Sequence, residues 1–179
     1  MFRNLSVNTD AKEQQIPFAY DTENGSADSV SGMWRPIWRG DAEGNCSLDS
    51  QRAFSGDQSQ QITFASGSGE IGIENQGLNR WGMNFVHGKN YDGYVWARAE
   101  AATKFFVALE STDGATVYAE KSLELKAGDW QRLDFKLAPK ASDQAGRFAI
   151  KLKQPGSITV GYAFLQPGSW GRCKNLPVR

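Results

Sequence analysis

The chain has 179 residues, with 20 Lys plus Arg balanced by 20 Asp plus Glu, and a single histidine. This length fits one domain with a core of its own, and the zero net charge leaves no field to steer it toward nucleic acid or an anionic membrane, so a neutral partner is expected. The lone His87, in the turn-like Val86-His87-Gly88-Lys89, argues against a multi-His zinc site or a Ser-His-Asp arrangement.

From the N-terminus, residues 1–31 read as a lead-in, with one strand at Phe2 to Val7 and a turn-rich Asp21-Thr22-Glu23-Asn24-Gly25-Ser26. The opening residues hold no apolar stretch of signal-peptide length, and no later segment nears the ~20 apolar residues of a membrane span. Period-two patterning then predicts strands at Trp34 to Arg39, Cys46 to Asp49, Gln60 to Ala65, Glu70 to Gln76, Trp81 to Phe85 and Tyr91 to Ala99. It continues with Lys104 to Glu110, Val117 to Leu125, Trp130 to Leu137, Arg147 to Leu152 and Ser157 to Leu165. Turns at Ser66-Gly67-Ser68-Gly69, Thr112-Asp113-Gly114 and Gln154-Pro155-Gly156 separate several of them, the spacing expected of an antiparallel sandwich or barrel. Gly67-Ser68-Gly69 lacks the Lys and following helix of a phosphate loop and reads as a hairpin turn. Cys46 and Cys173 have no second Cys or His at metal spacing, so two thiols are expected, with a disulfide between them as the alternative.

The strand phases carry the functional signal. Phe148, Ile150 and Leu152 form an apolar row with Arg147, Lys151 and Lys153 opposite; Phe105, Val107 and Leu109 oppose Phe106, Ala108 and Glu110. In the strand from Tyr91, a core row of Tyr91, Val95 and Ala97 leaves Tyr94, Trp96 and Arg98 outward. These phases predict an aromatic floor edged by Arg98, Glu110, Arg147 and Lys151, able to stack on the flat faces of a sugar and bond its hydroxyls. Trp34 and Trp130 are expected in the core. Glu74, Glu110, Glu120 and Glu124 would allow an acid/base pair for glycoside hydrolysis, but no motif singles out two of them.

The succession Trp38…Gly40, Phe54-Ser55-Gly56-Asp57-Gln58-Ser59-Gln60-Gln61-Ile62, Gly72-Ile73, Gly88-Lys89-Asn90-Tyr91, Trp96-Ala97-Arg98, Leu109-Glu110-Ser111-Thr112-Asp113-Gly114 and Gly128-Asp129-Trp130 resembles the jelly-roll carbohydrate-binding modules of families 4, 9 and 22. With Gly156-Ser157-Ile158…Phe164-Leu165-Gln166-Pro167 the match covers about Gly32 to Pro167. The ending Ser169-Trp170-Gly171-Arg172…Leu176-Pro177-Val178-Arg179 is similar to that of the module embedded in family 51 α-L-arabinofuranosidases. The resemblance implies an all-β, galactose-binding-domain-like jelly roll over residues 32–168, with 169–179 linking toward an absent catalytic domain.

It further implies a ligand lying along a concave sheet, gripped by aromatics at positions matching Trp38 and Tyr118, with Trp81 near a further contact. Polar contacts fall on Glu110 and on the phase of Arg147, Ala149 and Lys151. Family members place an Asp in the last strand that helps hold a structural calcium; Gly161-Tyr162 stands there, leaving Asp21 and Glu23 as carboxylates that could contribute. The expectation is a non-catalytic module that binds xylan, arabinoxylan or β-glucan and targets a parent hydrolase, with no required cofactor and no nucleic-acid or membrane partner. The parent would carry it outside the cell or into the periplasm. The alternative is a scaffold domain packing on a catalytic domain in cis.

Overall fold

The computed structural model describes residues 30–31, 34–77, 80–173 and 176–177. The expectations for Phe2 to Val7, Asp21 and Glu23, and for the Cys173 side chain, lie outside what is described. Alternating apolar residues form β1 (Trp34–Gly40), β2 (Glu43–Asp49), β3 (Ser59–Ser66), β4 (Gly69–Asn75), β5 (Met83–Phe85) and β6 (Tyr91–Ala99). They continue in β7 (Thr103–Glu110), β8 (Val117–Leu125), β9 (Gly128–Leu137), β10 (Asp143–Leu152) and β11 (Gly156–Pro167). A 3-10 turn at Ser169–Gly171 and the short pair β12 (Arg172–Cys173) and β13 (Leu176–Pro177) follow.

The strands make two antiparallel sheets. The front sheet runs β1-β4-β10-β7-β8, with β5 alongside the first part of β10; the back sheet runs β2-β3-β11-β6-β9. Most connections cross from one sheet to the other. Ser66-Gly67-Ser68-Gly69 is therefore a corner from β3 in the back sheet to β4 in the front sheet, not the hairpin turn its sequence suggests; Thr112-Asp113-Gly114 does close a hairpin, between β7 and β8.

Period two puts one row of each strand between the sheets. Phe105, Val107, Leu109, Phe148, Ile150 and Leu152 from the front sheet are fully buried, facing Ile62, Val95, Ala97, Ile158 and Val160 from the back. The sheets meet where Phe135 of β9 stacks on Phe148 of β10 at 5.8 Å and 15°; within the front sheet, Trp34 of β1 meets Phe148 edge-on at 6.3 Å. Each such large side chain contributes about 1.5–3 kcal/mol of burial. Trp34 is in the core as expected. Trp130 is not: register places it in the outward row of β9, and it packs on the outside of the back sheet against Phe54 at 5.2 Å. No helix among the described residues is long and apolar enough to cross a membrane.

Candidate functional site

The outward face of the front sheet carries the charged phases of five strands. Arg35, Ile37 and Arg39 of β1 face Glu74, Gly72 and Glu70 of β4 in register, and Glu110 of β7 faces Arg147 of β10. Arg39 donates to Glu70 at 2.5 Å and also to Glu110 at 2.5 Å, although these two carboxylates occupy rows at opposite ends of β10. That reach requires the twisted sheet to curl, which makes the face concave.

Lys151 lies at the centre with no exposed surface, within 2.9 Å of Glu70, 2.5 Å of Glu110 and 3.3 Å of Glu120. Lys153 joins Glu70 and Glu120 at 3.2 and 2.8 Å, and its ammonium lies 4.9 Å over the Phe106 ring. Arg147 bridges Glu74 and Glu110. Four cations thus meet four carboxylates over a small apolar floor of Ile37, Ala108 and Ala149. The β7–β8 turn folds toward this face: Gly114, at φ +70°, approaches the guanidiniums of Arg39 and Arg147, where any side chain would collide. Thr112 Oγ1 ties the turn to the Ala145 carbonyl at 2.5 Å.

The charges shape the acidities. Burial pushes the Glu70 carboxyl up, but hydrogen bonding and charge from Lys151, with Arg39 and Lys153, outweigh it and hold the group below its ordinary value. Burial wins at Glu74 and raises it despite Arg147. Glu110 is fully buried and Glu74 is 4% exposed, so neither presents an oxygen to a glycosidic bond from solution.

At one end of the face, Trp81 follows β4 and precedes β5, with its indole 77% exposed. The predicted strand from Trp81 starts two residues later, at Met83, because Gly82 turns at φ +92° against the Ala145 backbone. Tyr118 packs on the core and donates to Asp143 at 2.9 Å, its ring edge-on to Phe85 at 6.3 Å. The structure therefore gathers Glu110, Arg147 and Lys151 on one concave face with Trp81 and Tyr118 near the β10 start. Trp38 corrects the expectation, since it occupies the inward row of edge strand β1 and packs against the core.

Trp96 and Arg98 are the second correction. Their outward phase in β6 is as expected, but β6 belongs to the back sheet, so they face away from Glu110, Arg147 and Lys151. On that outer face Phe54 stacks on Trp96 at 5.1 Å, Tyr94 on Tyr162 at 5.6 Å, and Tyr94 on Phe164 at 5.2 Å. Arg132 lies 4.0 Å over Tyr94, and Arg98 lies 5.5 Å over Trp130. Sequence reasoning missed Arg39 and Glu70, and put Lys153 on the outward phase without assigning it to the site. The available signal was phase: Arg39 opposes Trp38, and Glu70 shares its row with Glu74. Among the described residues no group of three His, Cys, Asp or Glu side chains gathers for a metal; Asp21 and Glu23, the carboxylates expected for calcium, lie outside the described residues.

Two antiparallel sheets with these crossovers define an all-β jelly-roll sandwich. No protein-family model matches the sequence, and no curated protein matches it. In structure, the chain is similar to an arabinose-bound GH51 α-L-arabinofuranosidase, with a TM-score of 0.64 and 23% identity over 80% of this chain and 24% of that one. It is also similar to a CBM4 module, with a TM-score of 0.55 and 20% identity over 75% of this chain and 86% of that one. A third is the CBM22-1–GH10 portion of Clostridium thermocellum endo-1,4-beta-D-xylanase 10B in complex with xylohexaose, with a TM-score of 0.52 and 16% identity over 76% and 26%. The chain spans about a quarter of the arabinofuranosidase and xylanase chains. At these identities the likeness establishes the shared fold.

Proposed function

We propose that the chain is a non-catalytic carbohydrate-binding module that takes a neutral plant-wall polysaccharide, xylan or arabinoxylan first and mixed-linkage β-glucan second, along the concave front face. The observation that carries this reading is the bare Trp81 indole beside a curved sheet lined with Arg39, Glu70, Glu120 and Arg147. A sugar ring stacks its CH-rich face on an indole, and charged groups already fixed by their partners bond its hydroxyls with little further ordering. Tyr118, Glu110 and Lys151 act from below by fixing the arginines and the rim. The neighbour in complex with xylohexaose supports the choice of xylan. In this reading the module travels outside the cell with a parent glycoside hydrolase, of the arabinofuranosidase type, and holds it on its substrate.

Affinity electrophoresis through gels containing xylan, arabinoxylan, barley β-glucan, galactan or no polysaccharide tests the proposal. Retardation by xylan or β-glucan is expected. Unchanged migration in every gel supports the second reading, a scaffold domain packing on a catalytic domain. One observation favours that second reading: Lys151 and Glu110 satisfy each other beneath Arg39 with no exposed surface, as in a face built for rigidity.

A further inference from the structure

The back sheet carries a pocket that the front-face reading does not use. A cavity of about 530 Å³, within the roughly 300–1,000 Å³ usual for small-molecule sites, opens at the end of its outer face. Its lining includes Asp49, Gln61, Arg98, Glu100, Ser157 and Thr159, drawn from β2, β3, β11, the end of β6 and the connection that follows it. Gln61, Thr159 and Arg98 form one register row across three neighbouring strands, so the sheet itself sets their spacing.

Arg98 is the centre of this pocket. It is 7% exposed, and its two terminal nitrogens bind Asp49 and Glu100. Asp49 and Glu100 thereby hold the guanidinium as a fixed part of the pocket lining, its Nε–H turned away from solvent. Beside the pocket the guanidinium lies 5.5 Å over Trp130, and Phe54 packs on both that indole and Trp96. Around Arg98 stand the carboxylates of Asp49 and Glu100, with Asp129 linked through Arg52 at 3.3 Å, so three anions outnumber two cations. An anionic ligand is repelled there. A neutral polyol fits: adjacent hydroxyls donate to the carboxylates of Asp49 or Glu100 or to Gln61, and pair with Ser157 and Thr159.

We propose that this pocket is a second sugar site, separated from the front face by the thickness of the sandwich, which takes a terminal or side-branch unit of a neutral glycan through adjacent hydroxyls. The proposal rests on the polysaccharide reading only for its choice of probe. Two sites on opposite faces would let one module grip two chains, or a backbone and a branch, and raise its avidity.

The test is a titration of the full chain with xylohexaose and, separately, with L-arabinose, followed by 15N–1H correlation spectra. Saturable shifts at the amides of Gln61, Ser157 and Thr159 are expected with at least one probe. They should weaken tenfold or more in Gln61→Ala and in Arg98→Lys, which keeps the charge for Asp49 but loses the second arm that fixes Glu100 in the lining. They should persist in Trp81→Ala. If Arg98→Lys fails to fold, Gln61→Ala decides. Shifts confined to the surroundings of Trp81 and Arg147 would overturn the second site and leave the front-face function standing. Shifts confined to the pocket would uphold it and move the function to the back sheet. No shift with either probe, or shifts at Trp96 and Tyr94 that Gln61→Ala leaves intact, would overturn it.

Discussion

Trp81 and Glu70 show what a single side chain decides on the front face. Trp81 contributes almost nothing to the fold, since its indole lies in solvent, so Trp81→Ala should leave the melting temperature within about 2 °C of the parent. The same change removes a stacking platform worth ~1 kcal/mol and should weaken polysaccharide retardation roughly fivefold. A large loss of stability with binding intact would refute both halves. Glu70 acts on the fold instead. Its folded carboxyl titrates below the ordinary 4.5, so its contribution to stability is present above that pH and is lost as pH falls through the lowered value. Urea unfolding at a series of pH values should therefore show a shallower acid loss in Glu70→Gln than in the parent. Glu74, raised by burial, works in the opposite sense: its contribution is full below 4.5 and is lost as pH rises through the raised value.

Among the strands, β10 holds the front face together, because it pairs with β4, β5 and β7 and supplies Arg147 and Lys151 to the network. Replacing Lys151 by Met would leave Glu70, Glu110 and Glu120 without their shared cation in a buried setting. Breaking such an arrangement typically costs about 3–5 kcal/mol, and equilibrium unfolding of Lys151→Met at neutral pH should show a loss of that order. Adding Glu110→Gln should recover part of it by removing the deepest uncompensated carboxylate. The phase of each strand was legible from sequence: the inward rows of β6, β7 and β10 are those that alternation predicts. Sheet membership was not. Trp96 and Arg98 were grouped with Glu110 because phase says only which side of its own strand a residue occupies. Whether β6 lies beside β7 or behind it depends on pairings between segments far apart in the chain. The back sheet also contains a bulge at Gly161, where register shifts between Val160 and Tyr162 and an added Cβ would collide with Phe54 and Trp130. The bulge brings Tyr162 and Phe164 into the outward aromatic row, a placement that plain alternation from Val160 misses.

For the molecule as a whole, the two sheets depend on each other. Phe135 and Phe148 stack across the interface, and most connections pass from sheet to sheet, so neither sheet has a core of its own. Unfolding followed by tryptophan fluorescence and by far-UV circular dichroism should give coincident transitions. Separate transitions would mean that one sheet survives the loss of the other. Long-range pairing also predicts slow folding, in milliseconds to seconds, measurable by stopped-flow refolding.

The order of turns and alternating segments determined an all-β sandwich, and the phases determined which residues meet the core and which meet water, because period two is a local property of the extended backbone. Zero net charge and the placement of aromatic and polar residues pointed to a neutral, hydroxyl-rich partner. Only the tertiary structure decided that the outward residues belong to two opposed faces, that Trp38 turns inward at an edge strand, and that Arg39 crosses a curled sheet to reach Glu110. It alone enclosed Arg98 in a pocket. Curvature and strand order arise from hydrogen bonds and packing between segments distant in sequence, and no local pattern carries that information.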